Sequence, residues 1–471
     1  MMRSFQSVLS HHHLVVLRIS ALLGLLMAFP SLPAQANYRQ KALEQTAYLQ
    51  SHFYDASAHK YHDTYPVNPN GLPWTTMWAN GVQWRVIVEA TQDNPAKYRP
   101  ILDAYAQGLQ EYWDPQPQGS PPGFNAYCSG PGGTDKYYDD NAWMVLGFLE
   151  AYKTTHDPKY LQWARTTQAF VLSGWDDTLG GGIYWSLKHQ SKNTCDNAPG
   201  AVGALQLAAL GEPDQENWAL RIIPWVNTTL KDDKGLYWDN IALDGKITKW
   251  EFTYNTALMI EADILLFKMR GDRQALHAAE QSANAAIAQW QDPVTGAFAN
   301  NADFTHLLCE SLIQLYQVNH DIHYLDAVRR HAAFGDRYIR DAQNGGYWND
   351  WVIKTHQADE RKALLQNASD ARIFWLLAPY PDVDELVAKG MHALAAGKNA
   401  EAQDFLQQAA DSDTEAIEPR YTLWKLLGRE HKTAEAQVQE QKLVTMSANP
   451  KLNARLTTLG WVSPTPSTPN P

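Results

Sequence analysis

Tyr137-Tyr-Asp-Asp-Asn-Ala-Trp-Met-Val-Leu-Gly-Phe-Leu-Glu-Ala-Tyr152 follows a Gly/Pro-rich loop, Ser129-Gly-Pro-Gly-Gly-Thr134, and is apolar over most of its length. An apolar run of this kind behind a loop reads as a buried helix. Asp139 and Asp140 then stand at its start, where unpaired charge beside a core is costly. An N-cap accounts for one aspartate, because Asp is favoured there and complements the helix dipole. It gives no reason for the second aspartate, nor for the aromatics Tyr137, Tyr138 and Trp143 around the pair. A catalytic carboxylate pair accounts for all of them.

The surrounding chain repeats loosely. A helix end, an Asp-containing turn and an aromatic recur six times, at Phe53-Tyr54-Asp55, Trp113-Asp114, Trp175-Asp176, Asp232-Asp233, Gln291-Asp292 and Arg340-Asp341. Three of the loops share one core, Gly182-Ile-Tyr-Trp185, Gly235-Leu-Tyr-Trp238 and Gly346-Tyr-Trp348. The spacing, near 60 residues, holds two helices and a connector. One helical set is amphipathic, over 37–52, 97–111, 159–173, 214–229, 272–289 and 323–338. The other is apolar on most sides, over 78–92, 140–152, 198–210, 254–268, 305–318 and 367–378. The alternation predicts an all-α fold, an (α/α)6 barrel with an outer ring packed on an inner one. An open array of helical hairpins would not need inner helices so apolar. In such a ring the inner helices run parallel, so the loops before them, Asp139 and Asp140 included, converge on one face.

With 471 residues and 45% hydrophobic content, the chain can bury a large core and holds more than one domain. A net charge of −12 argues against nucleic acid as partner. Residues 1–36 read as a signal peptide: Arg3 and Arg18, an apolar run from Ile19 to Phe29, and a small-x-small site at Pro33-Ala-Gln-Ala36. The run is short for a membrane span. The expected product is exported, periplasmic or secreted, without a membrane span. Three cysteines allow one disulfide at most; Cys128 with Cys195 is the favoured pair, leaving Cys309 a buried thiol. No spacing resembles a zinc site. After the 37–380 domain, Ala400-Glu-Ala-Gln403 recurs as Ala434-Glu-Ala-Gln437. That 34-residue period predicts a tetratricopeptide-like helical module over 381–460, suited to a protein partner, with a disordered tail over 461–471.

Glycosidic bond cleavage needs two carboxyl groups about the anomeric carbon, roughly 5–5.5 Å apart for retention and wider for inversion. Neighbouring helical residues splay by about 100°, which lets their carboxyls approach one sugar at the closer spacing. Repulsion and aromatic surroundings would raise the pKa of one of the pair.

Tyr-Tyr-Asp-Asp-x-Ala-Trp-Met at 137–144 resembles glycoside hydrolase family 76, the endo-α-1,6-mannanases. Gly180-Gly-Gly-Ile-Tyr-Trp185 with Lys192-Asn193-Thr194, and Phe252-Thr-Tyr-Asn255, are similar to later motifs of that family. The resemblance covers about 37–380. It implies a retaining hydrolase of α-mannan-type polysaccharide without metal or cofactor, with Asp139 as nucleophile and Asp140 as general acid/base. It further implies that Trp143, Lys192, Asn193, Tyr254 and Asn255 line sugar subsites. Tyr137 and Tyr138 are stacking candidates from their place before the helix. Tyr254-Asn-Thr-Ala257 and Phe304-Thr305 depart from the family pattern. Other readings of the same barrel are an epimerase or unsaturated-glycoside hydrolase, for which paired histidines are wanting, and a non-catalytic glycan-binding protein. Glu251, Asp303 and His306 are further polar residues expected on the same face.

Overall fold

Outer-ring helices begin on their own side chains. Asn94, Asp157, Asp272 and Asp321 each accept a hydrogen bond from a backbone N–H of the first turn. Proline opens three of the six outer helices, where its missing N–H costs nothing. Among the described residues the inner helices show no such caps, and the starts of three of them are held instead by the loops that precede them.

The computed structural model describes residues 38–115, 120–129, 135–298, 302–351, 353–357, 359–380, 383–412 and 416–462. The expected signal peptide, residues 130–134 of the Gly/Pro-rich loop and the tail from Ser463 lie outside the described residues. Two compact units are present, Tyr38–Tyr380 and the chain from Pro381 onward.

The first unit holds twelve helices. The outer ones are α1 (Tyr38–His52), α3 (Pro95–Leu109), α5 (Pro158–Ser173), α7 (Pro213–Thr229), α9 (Arg273–Trp290) and α11 (Ile322–Phe334). The inner ones are α2 (Met77–Asp93), α4 (Tyr138–Thr155), α6 (Thr194–Ala209), α8 (Thr253–Arg270), α10 (Ala302–Asn319) and α12 (Leu364–Leu377). Each inner helix packs on the next and α12 returns to α2, while each outer helix backs an inner neighbour. This is the (α/α)6 ring that the hydrophobic alternation predicts. Thr64–Tyr65 pairs antiparallel with Lys362–Ala363, stitching the first connection to the last. Close packing inside the ring shows at Gly147, where a Cβ would meet Trp84 at 2.7 Å. The Trp84 indole donates to the Gly147 carbonyl at 3.0 Å.

The inner helices are less uniformly apolar than their sequences suggest. Arg85 and Arg372 both donate to Glu310, at 2.6 and 2.9 Å, and Arg85 also reaches Glu150 at 2.8 Å. Arg372 pairs with Glu89 at 3.2 Å. The network ties α2, α4, α10 and α12 across the ring. Buried charges survive only when paired in this way.

The second unit holds α13 (Val383–Ala395), α14 (Asn399–Ser412), α15 (Ile417–Arg429), α16 (Thr433–Ser447) and α17 (Pro450–Thr458). Ala402 and Ala436, equivalent in the 34-residue repeat, are buried in one core with Leu406, Leu423, Leu426 and Leu427. Trp461 is also buried, against Tyr421 and Trp424, so packed chain extends past the predicted end of the module at residue 460.

Candidate active site

The loops before α4, α6 and α12 are fastened by one device used three times. Asn141, Asn197 and Asn367, in the first turns of these helices, each accept from one backbone N–H: that of Phe124, Ile183 or Tyr347. Each amide also donates back to the carbonyl of that same residue. Five residues earlier a buried lysine pairs with an aspartate of the turn behind the preceding outer helix. The pairs are Lys136–Asp114 at 2.7 Å, Lys192–Asp176 at 2.5 Å and Lys362–Asp341 at 2.9 Å. These contacts take the place of N-caps and fix where each inner helix begins.

A cleft of about 590 Å³ opens at that face. Five of the six loops and helix starts line it, through Trp78, Asp139, Asn193, Tyr254 and Phe304 among others; the described lining has nothing from the start of α12. Asp139 and Asp140 both face the cleft. The N-cap of α4 is Tyr137, extended and without a side-chain cap, so neither aspartate caps the helix.

The two carboxyls differ in environment. Asp139 Oδ1 accepts the N–H of Asp140 at 2.9 Å, and Oδ2 accepts the Trp185 indole N–H at 3.3 Å and the Cys195 thiol at 3.5 Å. Burial raises its pKa to about 6, and these donors hold it from rising further. Asp140 is raised well above the usual carboxylate range by burial and by the charge of Asp139, with only the backbone N–H of Trp78 favouring its anion. Both carboxyls are thus pushed toward the protonated form, Asp140 the more strongly and Asp139 the better supplied with donors to its anion.

Aromatic faces form one wall. Trp78, Phe304, Tyr254 and Phe252 stack in series, with ring centroids 5.5, 5.0 and 5.7 Å apart. Trp185 packs on Tyr137 at 5.0 Å. Trp250 stands 67% exposed at the rim, on the hairpin formed by Trp238–Ala242 and Ile247–Glu251. Ser191–Asn193 adds a third strand to that hairpin. Flat apolar rings of this kind suit the C–H faces of pyranoses.

Of the residues expected at the site, Asp139, Asp140, Tyr137, Trp143, Asn193 and Tyr254 line the cleft. Three do not. Tyr138 is buried against Phe170, where it acts as core. The Lys192 ammonium is spent on Asp176 and on the carbonyls of Asp176, Thr178 and Gly181. Asn255 is fully buried, and Glu251 and His306 are likewise outside the lining. Asp303 does line the cleft, its carboxyl raised to about 6 by burial. The expected Cys128–Cys195 disulfide is absent: both are free thiols, Cys128 beside Glu111 and Cys195 against Asp139. Sequence reasoning missed Trp185, Cys195, Asp239 and Trp250 as site residues. Trp185 had a signal in its recurring Gly-x-Tyr-Trp loop, and Cys195 and Trp250 in lying within loops that lead into inner helices.

Among the described residues, no helix is long and apolar enough to cross a membrane. The sequence model of glycosyl hydrolase family 76 matches residues 38–331. The meiotically up-regulated gene 191 protein of Schizosaccharomyces pombe is 28% identical over 262 residues, which is 50% of this chain and 57% of that relative. The match thus spans little more than half the length of that relative. A GH76 α-mannanase of Bacteroides thetaiotaomicron superposes with a TM-score of 0.67 at 23% identity, over 73% of this chain and 96% of its own. An inactive variant of an α-1,6-mannanase from Salegentibacter, with two consecutive aspartates replaced by asparagine, was solved with α-1,6-mannotriose. It superposes with a TM-score of 0.63 at 23% identity, over 73% of this chain and 99% of its own.

Proposed function

The chain belongs to glycosyl hydrolase family 76, and on that premise we propose that it hydrolyses α-1,6-mannosidic linkages in mannan-type polysaccharide with retention of configuration. The observation that carries the reading is the meeting of Asp139 and Asp140 in one aromatic cleft, Asp139 with three hydrogen-bond donors and Asp140 the more strongly pushed toward its protonated form. Asp139, hydrogen-bonded as the anion, attacks the anomeric carbon while Asp140 protonates the departing glycosidic oxygen. The products of that step are a mannosyl ester on Asp139 and a free leaving sugar. Asp140, now a carboxylate, takes a proton from water, whose oxygen displaces Asp139 from the anomeric carbon. Adjacent aspartates replaced in a mannanase solved with mannotriose support the same assignment.

Tyr137, Trp143, Trp185 and Tyr254 would bracket the sugar, with Asn193 offering polar contacts from α6. The described lining contains no histidine, which weighs against the epimerase reading. We read residues 1–36 as an export signal that places the enzyme in the periplasm or outside the cell. The chain after 380 is read as a tetratricopeptide-like module for a protein partner. The test is incubation of the purified chain with α-1,6-mannan. Oligosaccharide release that disappears in Asp139→Asn and Asp140→Asn supports the proposal; binding without release would leave a glycan-binding protein.

A further inference from the structure

Behind the proposed nucleophile lie two more potential ligands. Cys195 Sγ is 3.5 Å from Asp139 Oδ2 and 3.7 Å from Asp196 Oδ2, and the three side chains place one ligand atom each within 4.8 Å of one another. One S–H cannot donate to two carboxylates at once. Asp196 is fully buried, and its Oδ1 has no hydrogen-bond partner among the described residues, although the backbone N–H of Asp139 faces the same carboxyl. A buried, half-satisfied carboxyl needs either its own proton or a cation.

The spacing accommodates a cation as well as a proton. A tetrahedral zinc ion with Zn–S near 2.3 Å and Zn–O near 2.0 Å has an S···O edge of roughly 3.5 Å. The two sulfur–oxygen contacts lie at or close to that edge before any ion enters. Asp139 and Cys195 line the cleft, so a fourth position would face solvent or a sugar hydroxyl. We propose that Asp139, Cys195 and Asp196 form an inhibitory site for a soft or borderline divalent cation of the zinc and cadmium type. Binding displaces the protons of Cys195 and Asp196 into solvent and leaves three anionic ligands on one dication. It also occupies the carboxylate oxygen that would attack the sugar, a consequence that rests on Asp139 being the nucleophile. Hard cations such as magnesium, which favour six oxygen ligands, are excluded by the thiolate and by the ligand number. Ligand spacing in sequence hides the site, since Cys195 and Asp196 adjoin while Asp139 is 56 residues away.

The full chain carrying Cys128→Ser, which removes the one thiol that is not buried, is titrated with cadmium. Thiolate-to-cadmium absorption in the ultraviolet should saturate at one equivalent. Zinc should displace it, and a hundredfold excess of magnesium should not. Added Cys195→Ser should abolish the band, and Asp196→Asn should weaken binding at least tenfold, with circular dichroism establishing that each variant is folded. No band in the folded Cys128→Ser chain, or a band that survives Cys195→Ser, would overturn the site. Zinc should also inhibit mannan hydrolysis over the range in which it displaces cadmium. Stoichiometric binding with hydrolysis unaffected would overturn the inhibitory role and count against Asp139 as nucleophile, while the ion site stood.

Discussion

Lys192 donates its ammonium protons to Asp176 Oδ1 at 2.5 Å and to three loop carbonyls, and none of that ammonium lines the cleft. The same relationship joins Lys136 to Asp114 and Lys362 to Asp341. A residue that resembles a sugar ligand by sequence is thus one of three internal struts that set the loops around the cleft.

The strut between Lys136 and Asp114 is the most buried, both side chains being 1% exposed. Lys136→Met should cost about 3–5 kcal/mol, the usual penalty for orphaning a buried charge. Lys192→Met should cost less, since Asp176 is 43% exposed and can be solvated. Urea unfolding measures both. A raised KM for Lys192→Met at unchanged stability would return that residue to the substrate.

Asp176 is lowered to about 2 despite the opposing effect of burial, chiefly by its hydrogen bond from Lys192. A carboxyl with a depressed folded pKa contributes stability above its unfolded value, near 3.9, and loses it as pH falls through the folded one. The acid side of the unfolding profile should therefore steepen between about pH 4 and 2. Asp176→Asn should flatten that stretch in urea melts taken across the range.

The proposed mechanism requires Asp139 charged and Asp140 protonated. The acid limb of kcat/KM should rise through about pH 6, the value to which burial lifts Asp139. Activity should fall again only well above the ordinary carboxylate range, as Asp140 ionises. Trp185→Phe removes a donor to the Asp139 anion. It should move the acid limb to higher pH, whereas a merely structural role would lower the rate without shifting the limb.

Trp250 lines the cleft while remaining largely exposed, at its rim. Trp250→Ala should raise KM for long mannans about 2- to 10-fold, the worth of about 0.5–1.5 kcal/mol of ring contact, and leave kcat close to unchanged. Comparing mannobiose with a long oligosaccharide reads this directly: an equal effect on both would argue against an outlying stacking role.

Much of the fold was legible because alternation of amphipathic and apolar helices is a physical requirement of a double ring, and the twelve segments fall where that alternation predicts. The ionic network of Arg85, Glu150, Glu310 and Arg372 was hidden, since charges spread singly over apolar helices do not announce that they meet. The aspartate pair was legible from its position before an apolar run. Its surroundings were not, because the repeat itself masks function. In Gly-x-Tyr-Trp the three tyrosines, Tyr184, Tyr237 and Tyr347, are all buried. The tryptophans diverge: Trp185 reaches Asp139, Trp238 lies under Lys249, and Trp348 stacks on His356. Cys195 was misassigned to a disulfide because loop composition says nothing of the carboxyl across the gap.

Retention by two successive displacements is the chemistry on which the roles of Asp139 and Asp140 stand. Time-resolved proton NMR of α-1,6-mannan hydrolysis reads the configuration of the reducing end before it mutarotates. The α anomer should appear first and the β anomer only later. A β anomer formed first would mean direct attack by water and would contradict a mannosyl ester on Asp139.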